Sequence, residues 1–193
     1  MVCYNDELVN IEDKGIMTDT SIQSNAYILY YEQTELVINA YLAIIQRDHR
    51  DLVLCLDTFF LIEKKRDLKS IKSINTVDTV LIPVPSNNHW SLLVVQSKNQ
   101  TVFVLDSSGG TNKKAVEFIR SLYKKEFSID LSYTKKLKHK ISLQENGYDC
   151  GVFVLLYSEA LAGGQSLCFT KNEIATARQR IRQRIMKAVI KSI

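Results

Sequence analysis

Breaks and staples are what this chain has least of. Two prolines, Pro83 and Pro85, and seven glycines occur in 193 residues, and neither type appears between Gly15 and Pro83. Compact structure is therefore expected nearly end to end. The four cysteines, Cys3, Cys55, Cys150 and Cys168, are scattered, with no C-x-x-C pair and no histidine at ligand spacing. That pattern argues against a disulfide framework or a zinc site and fits reduced thiols in the cytoplasm or nucleus, with no cofactor expected. No apolar run reaches the length of a membrane span, and the first residues lack the charged start and apolar core of a signal peptide. Charge of one sign is scarce too: 25 basic against 21 acidic residues leave +4, too mild to argue for nucleic-acid binding. With 46% hydrophobic and 24% charged residues, the composition is that of one globular domain.

What is there reads as alternating helix and strand. Residues 1–24 are polar and irregular, and Ala26-Tyr27-Ile28-Leu29-Tyr30-Tyr31 has strand composition. Leu36, Ile38, Ala40, Tyr41, Ile44 and Ile45 form a helical stripe over 33–47, and a second helix is expected over 51–63, ending at the charged loop Glu63–Asp67. Three strands follow at Thr79–Pro83, Trp90–Val95 and Thr101–Leu105, with a turn at Ser97-Lys98-Asn99. A loop opens after Asp106 with two glycines, 112–125 reads as an amphipathic helix, and 127–132 and 137–143 as short strands. A buried helix runs from Cys150 to a stop at Gly163-Gly164. Thr170 and Glu173 suit a capping box for a last helix burying Ile174, Ile181, Ile185 and Val189, with its basic residues on a solvated face.

The chemistry gathers around Gln144-Glu145-Asn146-Gly147-Tyr148-Asp149-Cys150-Gly151, where a polar turn runs into Val152-Phe153-Val154-Leu155-Leu156-Tyr157. A thiol at a helix start feels the positive end of the dipole, which favours the nucleophilic thiolate. A thiol nucleophile needs a base and a group that orients it. Of three histidines, His49 lies in a polar interhelix loop and His139 between two lysines, both read as surface residues. His89 instead ends the loop Pro85-Ser86-Asn87-Asn88 and begins an apolar strand with Trp90, where a side chain is both fixed and reachable. Asp106 ends Thr101-Val102-Phe103-Val104-Leu105, and an antiparallel hairpin would return it beside His89. Read locally, Asp106 is equally an ordinary turn cap. Gln144, six residues before Cys150, can offer its amide N–H to a polarised carbonyl.

These residues carry a resemblance. His89-Trp90-Ser91-Leu92-Leu93-Val94, the Asp106 strand end and Gln144…Asp149-Cys150-Gly151-Val152-Phe153 resemble the ubiquitin-like-protein-specific cysteine proteases, which process and remove SUMO- and Nedd-type modifiers. The order His, Asp, Gln, Cys matches, as do the seventeen-residue step from 89 to 106 and the six-residue step from 144 to 150. The resemblance covers about residues 34–193 and is closest to the deneddylase branch. It implies an α+β, adenain-like (papain-like superfamily) fold with a central mixed sheet flanked by helices. It also implies a triad of His89, Asp106 and Cys150 with Gln144 in the oxyanion hole. Trp90 is implied to help cover the channel for the modifier's Gly-Gly tail, with Asn146, Gly147, Asp149 and Gly151 as substrate contacts. The implied partner is a ubiquitin-like modifier and its conjugates, Nedd-type first and SUMO next, bound by a monomer with no role for nucleic acid or membrane.

Two departures accompany it. The family's opening Trp-Leu-Asn-Asp-type segment is missing, and Trp90 is the sole tryptophan. Tyr4-Asn5-Asp6…Val9 and Ser24–Tyr31 look instead like the closing strands of ubiquitin-specific proteases. The chain thus divides into a non-catalytic segment, 1–32, and a catalytic domain, 33–193. The leading reading is an isopeptidase or processing protease. A catalytically weak modifier-binding module, and an acyltransferase using the same triad, are the alternatives.

Overall fold

The computed structural model describes residues 20–62, 74, 76–134 and 140–190, with side chains among those between 34 and 188. Contacts divide the chain into two units, between Val37 and Ile38. The described elements are α1 (Thr20–Asp48), β1 (Val53–Cys55), β2 (Thr79–Ser86), β3 (His89–Gln96), β4 (Thr101–Leu105), α2 (Lys113–Phe127), β5 (Ser132–Tyr133), α3 (Cys150–Ala162) and α4 (Lys171–Ile190). The expected charged loop Glu63–Asp67, His139 and the first nineteen residues lie outside the described residues.

Five strands make one mixed sheet in the order β1-β2-β3-β4-β5, antiparallel at its centre and parallel at both ends. Alternation assigns its two faces. Val80, Ile82, Val84, Leu93, Val95 and Val102 pack with Ala115, Val116, Ile119 and Tyr123 of the amphipathic α2. Leu81, Leu92, Val94 and Leu105, all fully buried, point the other way. There α3 lies on β3, and eleven of its thirteen residues are buried, which is why its sequence is apolar on every side. Each such Val, Leu or Phe contributes roughly 1.5–3 kcal/mol on burial, so the helix that begins at Cys150 is held firmly. Pro83 and Pro85 fall beyond the β1–β2 pairing, which ends at Cys55↔Leu81, so their missing N–H groups remove no bond of that ladder.

Several expectations need correcting. The helix α1 begins at Thr20, so residues 20–24 are helical and not irregular, and the strand at Ala26–Tyr31 does not form. No Gly or Pro separates that stretch from the stripe that follows, and helix, once nucleated, propagates through aromatic and β-branched residues. The expected helix over 51–63 is strand β1 followed by turns. Side chains on α1 capture its backbone: Gln46 Oε1 accepts from Cys55 N at 2.8 Å and Asn39 Oδ1 from Thr58 N at 2.9 Å. Of the strand expected at 127–132, Phe127 ends α2 and pairing occurs only at Ser132–Tyr133; residues 140–143 are not strand.

The last helix forms where expected, but of its expected core residues only Ile181 is buried; Ile174 and Ile185 are half-buried, and the Val189 side chain lies outside the described residues. The capping box forms, with Thr170 N donating to Glu173 Oε2 at 2.7 Å and Glu173 N to Thr170 Oγ1 at 3.2 Å. Gly164 takes the left-handed conformation (φ +64°) just past α3. The basic face of α4, however, is not simply solvated. Arg180 and Arg184 pair with Glu159 of α3, Arg184 also reaches Asp48 at 2.8 Å, and Arg178 pairs with Asp149 at 2.6 Å.

Candidate active site

A two-residue turn places the candidate base. Asn87 and Asn88 both have positive φ (46° and 65°), the conformation of a tight hairpin turn that asparagine tolerates well, and Ser86 pairs with His89 across it. The next hairpin brings β4 back along β3 with Leu105 opposite Leu92, so Asp106 arrives beside the start of β3. There His89 Nε2 and Asp106 Oδ1 stand 2.7 Å apart, the imidazole side chain 25% exposed and the carboxylate 8%. Because Nε2 is engaged, the nitrogen left for proton transfer is Nδ1.

The carboxylate is held from its own side as well. Ser108 N donates to Asp106 Oδ1 at 2.8 Å, and Gly109 N donates to the Asp106 carbonyl at 2.9 Å with Gly109 at φ +80°. At Gly110 any side chain would collide, since a Cβ there would lie 2.2 Å from Asp106 Oδ2. Gly110 thus belongs to the site although it carries no functional group.

The loop before α3 is built by Asn146. Its Oδ1 accepts from Tyr148 N (3.1 Å) and Asp149 N (3.0 Å), while its Nδ2 donates to Asp149 Oδ2 at 2.6 Å. Asp149 accepts the first helical bond, from Phe153 N at 2.9 Å, and Cys150 opens α3 with 6% exposure. The Cys150 thiol lies within hydrogen-bonding reach of the Trp90 backbone N–H, which sets it next to His89; the N–H groups of Gly151 and Cys150 face it too. These donors favour the thiolate, but burial outweighs them and the Asp106 charge opposes them. The thiol is pushed above its ordinary value. The helix start thus favours the thiolate as expected, while desolvation pulls the other way and is the larger effect.

Gln144 is tied to both halves of the site. Ser107 Oγ donates to its Oε1 at 2.5 Å, its backbone N donates to the Ser107 carbonyl at 3.0 Å, and its Nε2 donates to the Asn146 carbonyl at 2.5 Å. The carboxamide is therefore oriented, and its NH₂ carries a second N–H besides the one given to Asn146. Ser107, buried beside Asp106, couples the acid strand to this loop.

The remaining expected contacts divide. Gly147 is exposed and Gly151 buried beside the thiol, whereas the side chains of Asn146 and Asp149 turn inward to hold the loop. Trp90 is 2% exposed, among the largest fully buried side chains, so its ring stands in the core and not as an open cover. His49, just past the end of α1, is half-buried, and its backbone hydrogen bonds stay with Ile45, Gln46, Leu52 and Val53. Sequence reasoning missed Ser107, Gly110 and Arg178. The doublet Gly109-Gly110, three residues after Asp106, was the one visible signal.

Comparison with known proteins follows this geometry. The model of the Ulp1 protease family, C-terminal catalytic domain, matches residues 34–192. Ubiquitin-like-specific protease 1A of Arabidopsis thaliana is 30% identical over 117 residues, covering 57% of this chain and 23% of that protein. Sentrin-specific protease 3 of Mus musculus is 28% identical over 123 residues, covering 61% and 22% respectively. The chain spans about a quarter or less of the length of these curated relatives. Among solved structures, SUMO protease Ulp1 with its catalytic cysteine oxidised to a sulfenic acid superposes with a TM-score of 0.66 at 20% identity, covering 80% of this chain and 77% of that one. The Ulp1 protease domain in complex with Smt3, the yeast ortholog of SUMO, gives 0.64 at 20% identity, covering 79% and 76%. At this identity the likeness shows the fold: α+β, a mixed sheet flanked by helices, as expected.

Proposed function

Because this chain belongs to the Ulp1 protease family, we propose that it is a cysteine peptidase acting on a ubiquitin-like modifier, with Cys150 as nucleophile, His89 as base, Asp106 as its orienter and Gln144 as oxyanion donor. The observation that carries the proposal is the 2.7 Å His89–Asp106 contact standing beside a thiol that meets the amide of Trp90.

Attack begins with proton transfer from Cys150 to His89 Nδ1 while Asp106 holds the ring and stabilises its charge. The sulfur then adds to the carbonyl carbon of the modifier's terminal glycine. The oxyanion that develops is met by the second N–H of Gln144 and by backbone donors at the head of α3. The imidazolium gives its proton to the leaving amine, and water hydrolyses the thioester.

Among modifiers, a SUMO-type protein is proposed first. Sentrin-specific and Ulp1 proteases recur among the relatives, which supports SUMO over the Nedd-type preference expected from the sequence. A Nedd-type modifier is kept as the second choice. The buried ring of Trp90 and the absence of any other tryptophan favour, as a second reading, a weakly active module that captures a modifier. Fluorogenic SUMO- and Nedd-type substrates separate the two: turnover by the wild-type protein supports the protease, and tight reversible binding without turnover supports the module.

A further inference from the structure

Arg178 of α4 reaches the loop that delivers Cys150. We propose that it is a positioning residue for that thiol, acting through Asp149. The proposal rests on the reading of Cys150 as the nucleophile.

Arg178 Nη1 stands 2.6 Å from Asp149 Oδ1, with the two side chains 26% and 10% exposed. Nη2 donates to the Tyr148 carbonyl at 3.4 Å, and the guanidinium lies over the Tyr148 ring, 5.5 Å from its centroid. The other carboxylate oxygen of Asp149 is held by Asn146. The arginine is delivered by a firm helix: Ala177 and Ile181, one turn apart on α4, are 0% and 4% exposed, and the capping box fixes its start. Two consequences follow for the thiol. The peptide between Asp149 and Cys150, where α3 begins, is clamped on both sides of the carboxylate. The negative charge of Asp149, buried one residue from the sulfur, is compensated.

Compensation matters because the Asp106 charge already opposes the thiolate. The titratable groups around it are His89 at the start of β3, Asp106 at the end of β4, Asp149 on its own loop and Arg178 on α4. The first turn of α3, Cys150-Gly151-Val152-Phe153, carries no charge. Without the guanidinium, the Asp149 carboxylate would add to the opposition that Asp106 already presents to the thiolate.

The test is alkylation of each cysteine by iodoacetamide, followed peptide by peptide by mass spectrometry from neutral to alkaline pH. No modifier is needed, so a failure here is distinct from a failure of the protease reading, which Cys150→Ala addresses. Arg178→Met is expected to slow Cys150 alkylation about tenfold at neutral pH and move its profile up by about one unit, with Arg178→Lys within about threefold of wild type. Adding Asp149→Asn to Arg178→Met should recover most of the rate, because the uncompensated charge is gone. Exposed Cys168 should react alike in every variant, and Cys55, whose thiol burial pushes up to about 12, should stay protected. Wild-type rate and profile in Arg178→Met, or no recovery in the double variant, would overturn the proposal. If Cys55 becomes reactive in Arg178→Met, so that the fold itself has loosened, Arg178→Lys and Arg178→Gln decide. Lys near wild type with Gln slowed supports the role, and equal rates overturn it.

Discussion

Replacing Gly110 by alanine puts the site's geometry at risk without touching any group that does chemistry. The added Cβ would stand 2.2 Å from Asp106 Oδ2, whereas such contacts essentially never fall below 3.0 Å, so the carboxylate or its loop must move by at least 0.8 Å (3.0 minus 2.2). Asp106 has little freedom to do so, being buried and tied to His89 Nε2 at 2.7 Å and Ser108 N at 2.8 Å. A displacement of that size is enough to lengthen a 2.7 Å hydrogen bond beyond useful range and leave the imidazole unoriented. Misplacement of about 1 Å is worth on the order of 10²-fold in rate, near 2.7 kcal/mol of barrier. The assay is kcat/KM on a fluorogenic modifier substrate, with Tm measured in parallel. Gly109→Ala is the control, since its φ of +80° makes alanine strained but no atom lies within 4 Å of the new Cβ. It should lower stability by about 1–2 kcal/mol while kcat/KM stays near wild type. A Gly110→Ala protein with wild-type kcat/KM and unchanged Tm refutes the account of Asp106.

Three further outcomes are expected. Gln144→Ala should lower kcat by about 10²-fold with little change in KM, because its N–H matters most when the oxyanion forms; an equal loss in KM alone would instead mark it as a binding residue. In the free protein, Cys150 alkylation should be slow at neutral pH and still rising where an ordinary thiol has levelled off, since a raised thiol value lowers the thiolate fraction below it; an early plateau would contradict the burial argument. Phe153→Ala should cost about 3–5 kcal/mol of stability, read from denaturant unfolding, because this ring is 1% exposed and packs against Tyr157 and Phe169.

What the sequence disclosed and what it hid differ in range. Strands β2 to β4, helix α2 and the buried α3 are legible because alternation, turn residues and apolar runs are local signals, and Asn87-Asn88 and Gly163-Gly164 mark their ends. The juxtaposition of His89 and Asp106 follows from the hairpin alone. Residues 51–62 mislead because their backbone is captured by Asn39 and Gln46, partners nineteen and nine residues back whose reach depends on how α1 packs. Arg178 looks like one more cation in a basic helix; only the rotation of α4 against a loop some thirty residues earlier turns it inward. The balance at the Cys150 thiol is hidden for a similar reason. The helix start is visible in the sequence and the depth of burial is not, and burial is the larger effect. Trp90 is recognisable as a strand aromatic, but its near-complete burial is a property of the packed sheet.

The central claim, that Cys150 is the nucleophile of a ubiquitin-like-modifier peptidase, is tested most directly by a SUMO-type modifier whose C-terminal glycine ends in a thiol-reactive electrophile. The account predicts one covalent adduct, mapped to Cys150, that forms in the wild-type protein, slows in His89→Ala and is lost in Cys150→Ala. Labelling that persists in Cys150→Ala, or no adduct with SUMO- or Nedd-type probes while Cys168 still reacts with iodoacetamide, would contradict it.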